Sequence, residues 1–275
     1  MFAKSFSIVI IRTGLKAAVM VKLSVNVNKI ALLRNARSLE LNLPDVCDAA
    51  RAIIRAGSHG ITVHPRPDQR HIRYDDAYQL SKMLRSDFKG IEYNIEGNPF
   101  AGRYMEIVLE LRPDQATLVP DMPGANTSDH GWDLTGENQK KLLPVIEKLK
   151  NAGIRTSIFI DPDCSQAALA ARIGADRVEL YTEPFARSFR TNLDVQGTTG
   201  LYADAARAAV DAGLGVNAGH DLNLQNLGFF IKAVPAVAEV SIGHALVADA
   251  LYFGLEKTVK KYLDALSIRT IGEKY

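Results

Sequence analysis

Cysteine is scarce in these 275 residues: Cys47 and Cys164 are the only two. That excludes a disulfide framework and a four-cysteine zinc site, and it suits free thiols in a reducing cytoplasm. Charge of one sign is also lacking, with 33 Lys and Arg against 31 Asp and Glu for a net of +2. Neither a nucleic-acid binder nor a polybasic membrane-surface protein is indicated, because the field would be weak. Long apolar runs are missing too. The run at 8–11 is broken by Arg12, and no stretch approaches the roughly 18 residues of a membrane span. Lys4, Arg12 and Lys16 are the only charges in the first twenty residues. Residues 1–20 are therefore expected to be a non-essential leader, with one catalytic domain over 21–275. No GxGxxG motif, Walker loop, HxH or HExxH pair occurs, so neither a nicotinamide cofactor nor a resident metal is expected.

What is present is ordinary globular material, 47% hydrophobic and 23% charged, arranged in a recurring pattern. A short β-rich run leads to a polar loop and then to an amphipathic stretch. Strands are expected at 23–27, 60–64, 91–95, 116–120, 155–161, 177–181, 215–218 and 239–243. They are short, rich in Val and Ile and often continuous in hydrophobicity, as in parallel sheets covered on both faces. Helices are expected at 44–56, with Pro44 in the first turn and Gly57 at the stop, at 137–152 and at 246–262. The last carries a stripe of Leu251, Leu255, Val259 and Tyr262. Weaker helical patterns cover 75–85, 101–111, 165–174, 200–213 and 223–233. Eight such alternations in about 240 residues point to an α/β fold, a single (β/α)8 TIM barrel, with an open doubly wound sheet as the alternative.

A barrel gathers its working groups at the C-terminal ends of its strands. Strand one leads to Asn26, Asn28, Lys29, Arg34 and Arg37. Strand two ends at His64, followed by Arg66, Arg70 and His71. Strand three carries Asn94 and Glu96, and strand six carries Glu179 and Tyr181. Strands seven and eight end in the same pair, Gly219-His220 and Gly243-His244. Imidazoles beside carboxylates suit acid–base catalysis. The arginines of the first two loops suit phosphate, as do the glycine turns after strands seven and eight. Two anionic groups could bind, so a bisphosphate or two phosphorylated substrates are expected. His59 falls on the opposite, structural end.

The motifs LSVNVNKIALLRNAR (23–37), GITVHPRPDQRHI (60–72), YNIEGNP (93–99), TLVPD (117–121), AGIRTSIFID (152–161), RVELYTE (177–183), NAGHDL (217–222) and SIGHA (241–245) resemble the pyridoxine 5′-phosphate synthase family from about Lys22 to Leu263. The resemblance implies a cofactor-free barrel in vitamin B6 biosynthesis. It would join 3-amino-2-oxopropyl phosphate to 1-deoxy-D-xylulose 5-phosphate in a homo-oligomer, typically an octamer. It further implies His64 as general base, Glu96 as a second proton acceptor, His220 as proton donor and Glu179 as transition-state stabiliser. Asn26, Arg37, Gly243 and His244 match positions that hold the amino-ketone phosphate; Arg66, His71 and Thr127 match those for deoxyxylulose phosphate. Asn28-Lys29 stands where many members have Asp-His, and Asp221 where many have Gly. All three keep a substrate-binding assignment, although Asn28 cannot act as a carboxylate. Another cofactor-free phosphosugar isomerase or aldolase, a non-catalytic phosphate-binding oligomer and a metal-dependent hydrolase are the alternatives.

Overall fold

Eight strands pair in chain order, each parallel to the next, and the last closes on the first. They are β1 (Lys22–Asn26), β2 (Gly60–Val63), β3 (Glu92–Gly97), β4 (Gln115–Leu118), β5 (Arg155–Ile160), β6 (Arg177–Tyr181), β7 (Gly215–Gly219) and β8 (Glu239–Ile242). Closure sets Lys22 opposite Glu239 and Val25 opposite Ile242. The computed structural model describes residues 20–37, 42–121 and 128–267, so the leader expected at 1–20 lies almost wholly outside the described residues. The closed barrel replaces the open sheet as the architecture.

The strands do not read as expected in one respect. Most alternate rather than run apolar, although β5 keeps Ile158, Phe159 and Ile160 in succession. Leu23, Val25, Ile61, Val63, Ile95, Leu118, Val178, Val216 and Val240 belong to the main hydrophobic core, between sheet and helices. The intervening positions are polar and bond to one another inside the barrel. Ser24 Oγ meets Thr62 Oγ1 at 2.7 Å, and Thr117 Oγ1 donates to Asn94 Oδ1 at 3.0 Å. Arg155 Nε donates to Gln115 Oε1 at 2.9 Å. A period of two with both faces buried explains the pattern: one face packs on helices and the other satisfies its own hydrogen bonds.

Among the described residues, the helices are α1 (Asn28–Asn35), α2 (Val46–Arg55), α3 (Tyr74–Asp87), α4 (Tyr104–Leu111), α5 (Gly136–Asn151), α6 (Cys164–Arg172), α7 (Glu183–Thr191), α8 (Val195–Asp211), α9 (Leu227–Ala233), α10 (His244–Phe253) and α11 (Leu255–Ser267). Asp45, rather than Pro44, starts α2; its carboxylate accepts the Asp48 N–H at 2.9 Å. The helix expected at 246–262 is two helices. Gly254, at φ +80°, lies between them. Leu251 is consequently exposed, while Val259 and Tyr262 are buried. Helices α1 and α7 occupy stretches read as loops. None of the described helices is long and apolar enough to cross a membrane.

Candidate active site

Strand ends and the turns after them form one cavity of about 300 Å³ at the C-terminal mouth of the barrel. Asn26, Asn28, Lys29, His64, Arg66, His71, Glu96, Glu179, His220, Asp221, Gly243 and His244 all line it. Of the strand-end residues expected there, Arg34, Arg37, Arg70, Asn94 and Tyr181 do not line it; Arg37 is exposed just beyond α1, and Arg70 pairs with Asp68 instead. Thr127 lies outside the described residues, although its neighbour Ser128 is buried in the cavity wall.

The first loop is held to the second strand by amide side chains. Asn26 Oδ1 accepts the Asn28 N–H at 2.9 Å, and Asn28 Oδ1 accepts the His64 N–H at 2.9 Å. Asn26 Nδ2 also donates to Glu96 Oε2 at 3.3 Å. The same oxygen lies 3.9 Å from His64 Nδ1. His64 and Glu96, from adjacent strands, therefore share one corner of the cavity.

Burial sets the protonation of this corner. His64 is 6% exposed, and loss of hydration pushes its imidazole down to about 3. Asp121 opposes that fall, and the cationic or imidazole side chains of Arg66, His220 and His71 add to it. Glu96 moves the other way. Burial, then the Asp121 charge, pushes its carboxyl up to about 8, against Arg66 and a hydrogen bond from Ser241. At neutral pH this corner thus holds a neutral imidazole, able to accept a proton, beside a protonated carboxyl able to give one. Glu96 can act as an acceptor only after releasing that proton.

Across the cavity, Glu179 sits in mid-barrel, 2% exposed. Burial, together with Glu96 and Glu239, drives its carboxyl far above the usual range. Its Oε2 is buried with no hydrogen-bond partner among the described residues. A carboxyl that lines the cavity and is held protonated by burial is a candidate for acid–base or hydrogen-bonding work there. His220 is set by its neighbours instead. Its ring lies 5.3 Å from the Phe159 centroid and 5.4 Å from that of Tyr181. Its backbone is left-handed, at φ +76°, and Asp221 follows at φ +56°. Thr182 stabilises this turn: its hydroxyl donates to Gly219 O at 2.7 Å and also to His220 O. Burial lowers the His220 pKa, and Asp221 and Asp121 oppose the shift.

Another side of the cavity is formed by Arg66, Lys29 and His71. Burial and the Arg66 charge lower the Lys29 pKa, and burial with Lys29, Arg66 and Arg70 pushes His71 down to about 4. His71 Nδ1 is another buried atom with no hydrogen-bond partner among the described residues. Arg34 does not belong to this group, contrary to the expectation from its loop-like position. It is buried in α1 and pairs bidentately with Asp76, at 2.6 and 2.8 Å. Its neighbour Asn35 donates to Arg70 O and His71 O at 3.1 and 2.7 Å, which fixes the loop bearing His71. Asp121 received no role from sequence, though it lies three residues past β4, where strand-end reasoning applies equally. His59 is at the far end as expected; its Nδ1 accepts the Leu23 N–H at 3.1 Å. Among the described residues no group of three or more His, Cys, Asp or Glu is arranged to hold a metal ion.

The family model described as "Pyridoxal phosphate biosynthesis protein PdxJ" matches residues 23–268. A pyridoxine 5′-phosphate synthase of Cytophaga hutchinsonii is 52% identical over 247 residues, covering 90% of this chain and 99% of the relative. A synthase of the same name from Xanthomonas campestris is 54% identical, covering 88% and 94%. One from Porphyromonas gingivalis is 51% identical, covering 90% and 100%. Among solved structures, tryptophan synthase from M. tuberculosis superposes with a TM-score of 0.59 at 11% identity, over 90% of this chain and 94% of that one. The YdjI aldolase from Escherichia coli gives 0.54 at 13%, over 90% and 89%. At such identities these two share the barrel and nothing more.

Proposed function

The chain belongs to the PdxJ family of pyridoxal phosphate biosynthesis proteins, and from that membership we propose how its cavity makes pyridoxine 5′-phosphate. The enzyme condenses 3-amino-2-oxopropyl phosphate with 1-deoxy-D-xylulose 5-phosphate, releasing phosphate and water. Its reaction is a ring closure by proton transfer. The observation that carries the mechanism is the convergence of His64, Glu96, Glu179 and His220 on one cavity with Arg66, Lys29 and His71 on its wall.

Arg66 and His71 hold the deoxyxylulose phosphate, and Lys29 adds a point charge beside them. Asn26 and the Gly243-His244 turn receive the amino-ketone phosphate; Arg37, outside the cavity lining, keeps the same assignment by family resemblance. Asn28 and Asp221 meet substrate hydroxyls or backbone-bound oxygens. Holding both substrates together makes imine formation effectively intramolecular. The protonated Glu96 gives its proton to the departing hydroxyl, and the carboxylate it leaves faces the former amine. His64, neutral, takes the proton whose loss allows the deoxyxylulose phosphate group to leave. Each such transfer is worth about 10²–10⁴-fold. Glu179 hydrogen-bonds the transition state, and His220, after taking up a proton released during ring closure, gives it to the hydroxyl that leaves as water when the ring becomes aromatic. No cofactor is assigned a step.

Cytoplasmic location and assembly as a homo-oligomer, an octamer by family resemblance, complete the reading. Cys47 and Cys164 are both free thiols, which suits a reducing compartment. The leader over residues 1–20 is read as dispensable. The test is to mix both phosphorylated substrates with chelator-treated protein and to follow pyridine absorbance together with phosphate. Equal amounts of the two products support the reaction, and phosphate without the ring overturns it.

A further inference from the structure

Behind His64 and Arg66, on the side away from the substrate cavity, stands a carboxylate that serves both. Asp121 is 8% exposed. Its Oδ2 pairs with Arg66 Nη2 and lies 3.6 Å from His64 Nε2. One oxygen thus faces the residue read as a phosphate ligand and the residue read as the base. It is bonded to the first and just beyond hydrogen-bond reach of the second. Its backbone is anchored from the neighbouring loop, where Asn98 Nδ2 donates to Asp121 O at 2.9 Å. The Arg66 backbone is equally fixed. It lies between Pro65 and Pro67, its N–H donates to His64 O at 3.0 Å, and its carbonyl accepts the Gln69 N–H at 2.9 Å. A change of partner therefore falls to the guanidinium alone. A hollow of about 70 Å³ with Arg66 and Asp121 on its wall adjoins the pair, so the side chain is not packed tightly on that side.

We propose that Asp121 is a positioning residue shared by the two, holding Arg66 while the cavity is empty and turning its charge to His64 once a substrate phosphate takes the guanidinium. The inference rests on Arg66 as a phosphate ligand. A carboxylate relieved of its arginine needs only about half an ångström of approach to bond His64 Nε2. In that position it orients the ring and stabilises the imidazolium that forms when His64 accepts a proton. The other charged or titratable groups facing His64 are Arg66, His220, His71 and Glu96. None of these is a second ionised carboxylate at neutral pH, since Glu96 is held protonated by burial. The phosphate and the base are then linked, so that anion binding strengthens the base, and the linkage is reciprocal.

The consequence is a division of effects that mere structural damage does not produce. Asp121→Asn keeps the shape but removes the competitor for Arg66. Inorganic phosphate should bind the variant about fivefold or more tightly by calorimetry. Turnover should meanwhile fall about 10²-fold, the lower range for a disabled acid–base step. Asp121→Glu should move both values back toward the unaltered enzyme. Weaker or unchanged phosphate binding in a folded Asp121→Asn protein, or full turnover, overturns the proposal. Should that variant fail to fold, Asp121→Ser is read by the same two criteria. Arg66→Ala separates this inference from the one beneath it. If it binds phosphate as well as the unaltered protein, Arg66 is no phosphate ligand and both fall. If it binds phosphate weakly while Asp121→Asn shows no gain, only the role of Asp121 falls.

Discussion

Gly219 gives up the space that the Glu179 carboxyl occupies: a Cβ built on this glycine would overlap Glu179 Oε1. Strands β6 and β7 are adjacent, with Tyr181 opposite Gly219 and Glu179 opposite Asn217. The carboxyl leans over the end of β7, where His220 begins its left-handed turn. Gly219→Ala must therefore displace Glu179, the His220 turn, or both. Overpacking of this kind costs roughly 1–3 kcal/mol, and the variant should still fold at room temperature. Its turnover should drop by about tenfold or more, measured beside thermal unfolding. An alanine enzyme with full turnover would show that the placement of Glu179 is immaterial.

Glu96 should make stability depend on pH in a defined direction. Its carboxyl titrates near 8 in the folded protein and near the ordinary 4.3 when unfolded. Between those values the folded state holds the extra proton, so this group's contribution to stability is complete below the lower pKa. It is lost as pH rises through the upper one. Glu96→Gln abolishes that loss. In phosphate-free buffer the melting temperature of the unaltered protein should fall more between pH 5 and pH 8 than that of the glutamine variant. Turnover of the variant should fall about 10²–10⁴-fold. Parallel pH curves for the two proteins would place the Glu96 titration in the ordinary range.

Arg34 and Arg37 occupy one motif and should behave oppositely. Arg34 is 4% exposed and doubly bonded to Asp76, itself 7% exposed. Removing one partner of such a pair strands a buried charge, at about 3–5 kcal/mol. Arg34→Ala should lose that much in denaturant unfolding. Arg37 is exposed, so Arg37→Ala should unfold as before and show only a raised KM for the amino-ketone phosphate. If both variants changed stability alike, the separation of framework and ligand arginines would be wrong.

These two arginines also show where sequence reading stops. The strand sites and barrel closure were legible because eight β-rich runs recur with similar spacing, and because strand ends attract polar residues. Most of the described residues in the reading line one cavity; Arg34, Arg37, Arg70, Asn94 and Tyr181 do not. The sequence did not reveal that IALLRN forms a helix directly after β1, which turns Arg34 inward to a partner 42 residues away. Nor did it reveal the short helix α7, which starts at Glu183-Pro184 with few apolar positions. The alternation inside the strands is not evident from runs this short, in which Val and Ile dominate. Their Ser, Thr and Asn side chains are the inner face, bonded across neighbouring strands. Asp121 ends the TLVPD motif just past β4, but nothing local gives its partners. Its role depends on two side chains 55 and 57 residues earlier.

The central claim is that His64 and His220, carried on distant strands, act on the same bound substrates, whereas His59 belongs to the framework. Steady-state ring formation with both phosphorylated substrates tests it in three alanine variants. His64→Ala and His220→Ala should each lose about 10²-fold or more while remaining folded. His59→Ala should lose only its hydrogen bond to Leu23, about 1 kcal/mol of stability, and keep its turnover. Near-normal ring formation in either of the first two, or an equal loss in the third, would contradict the account.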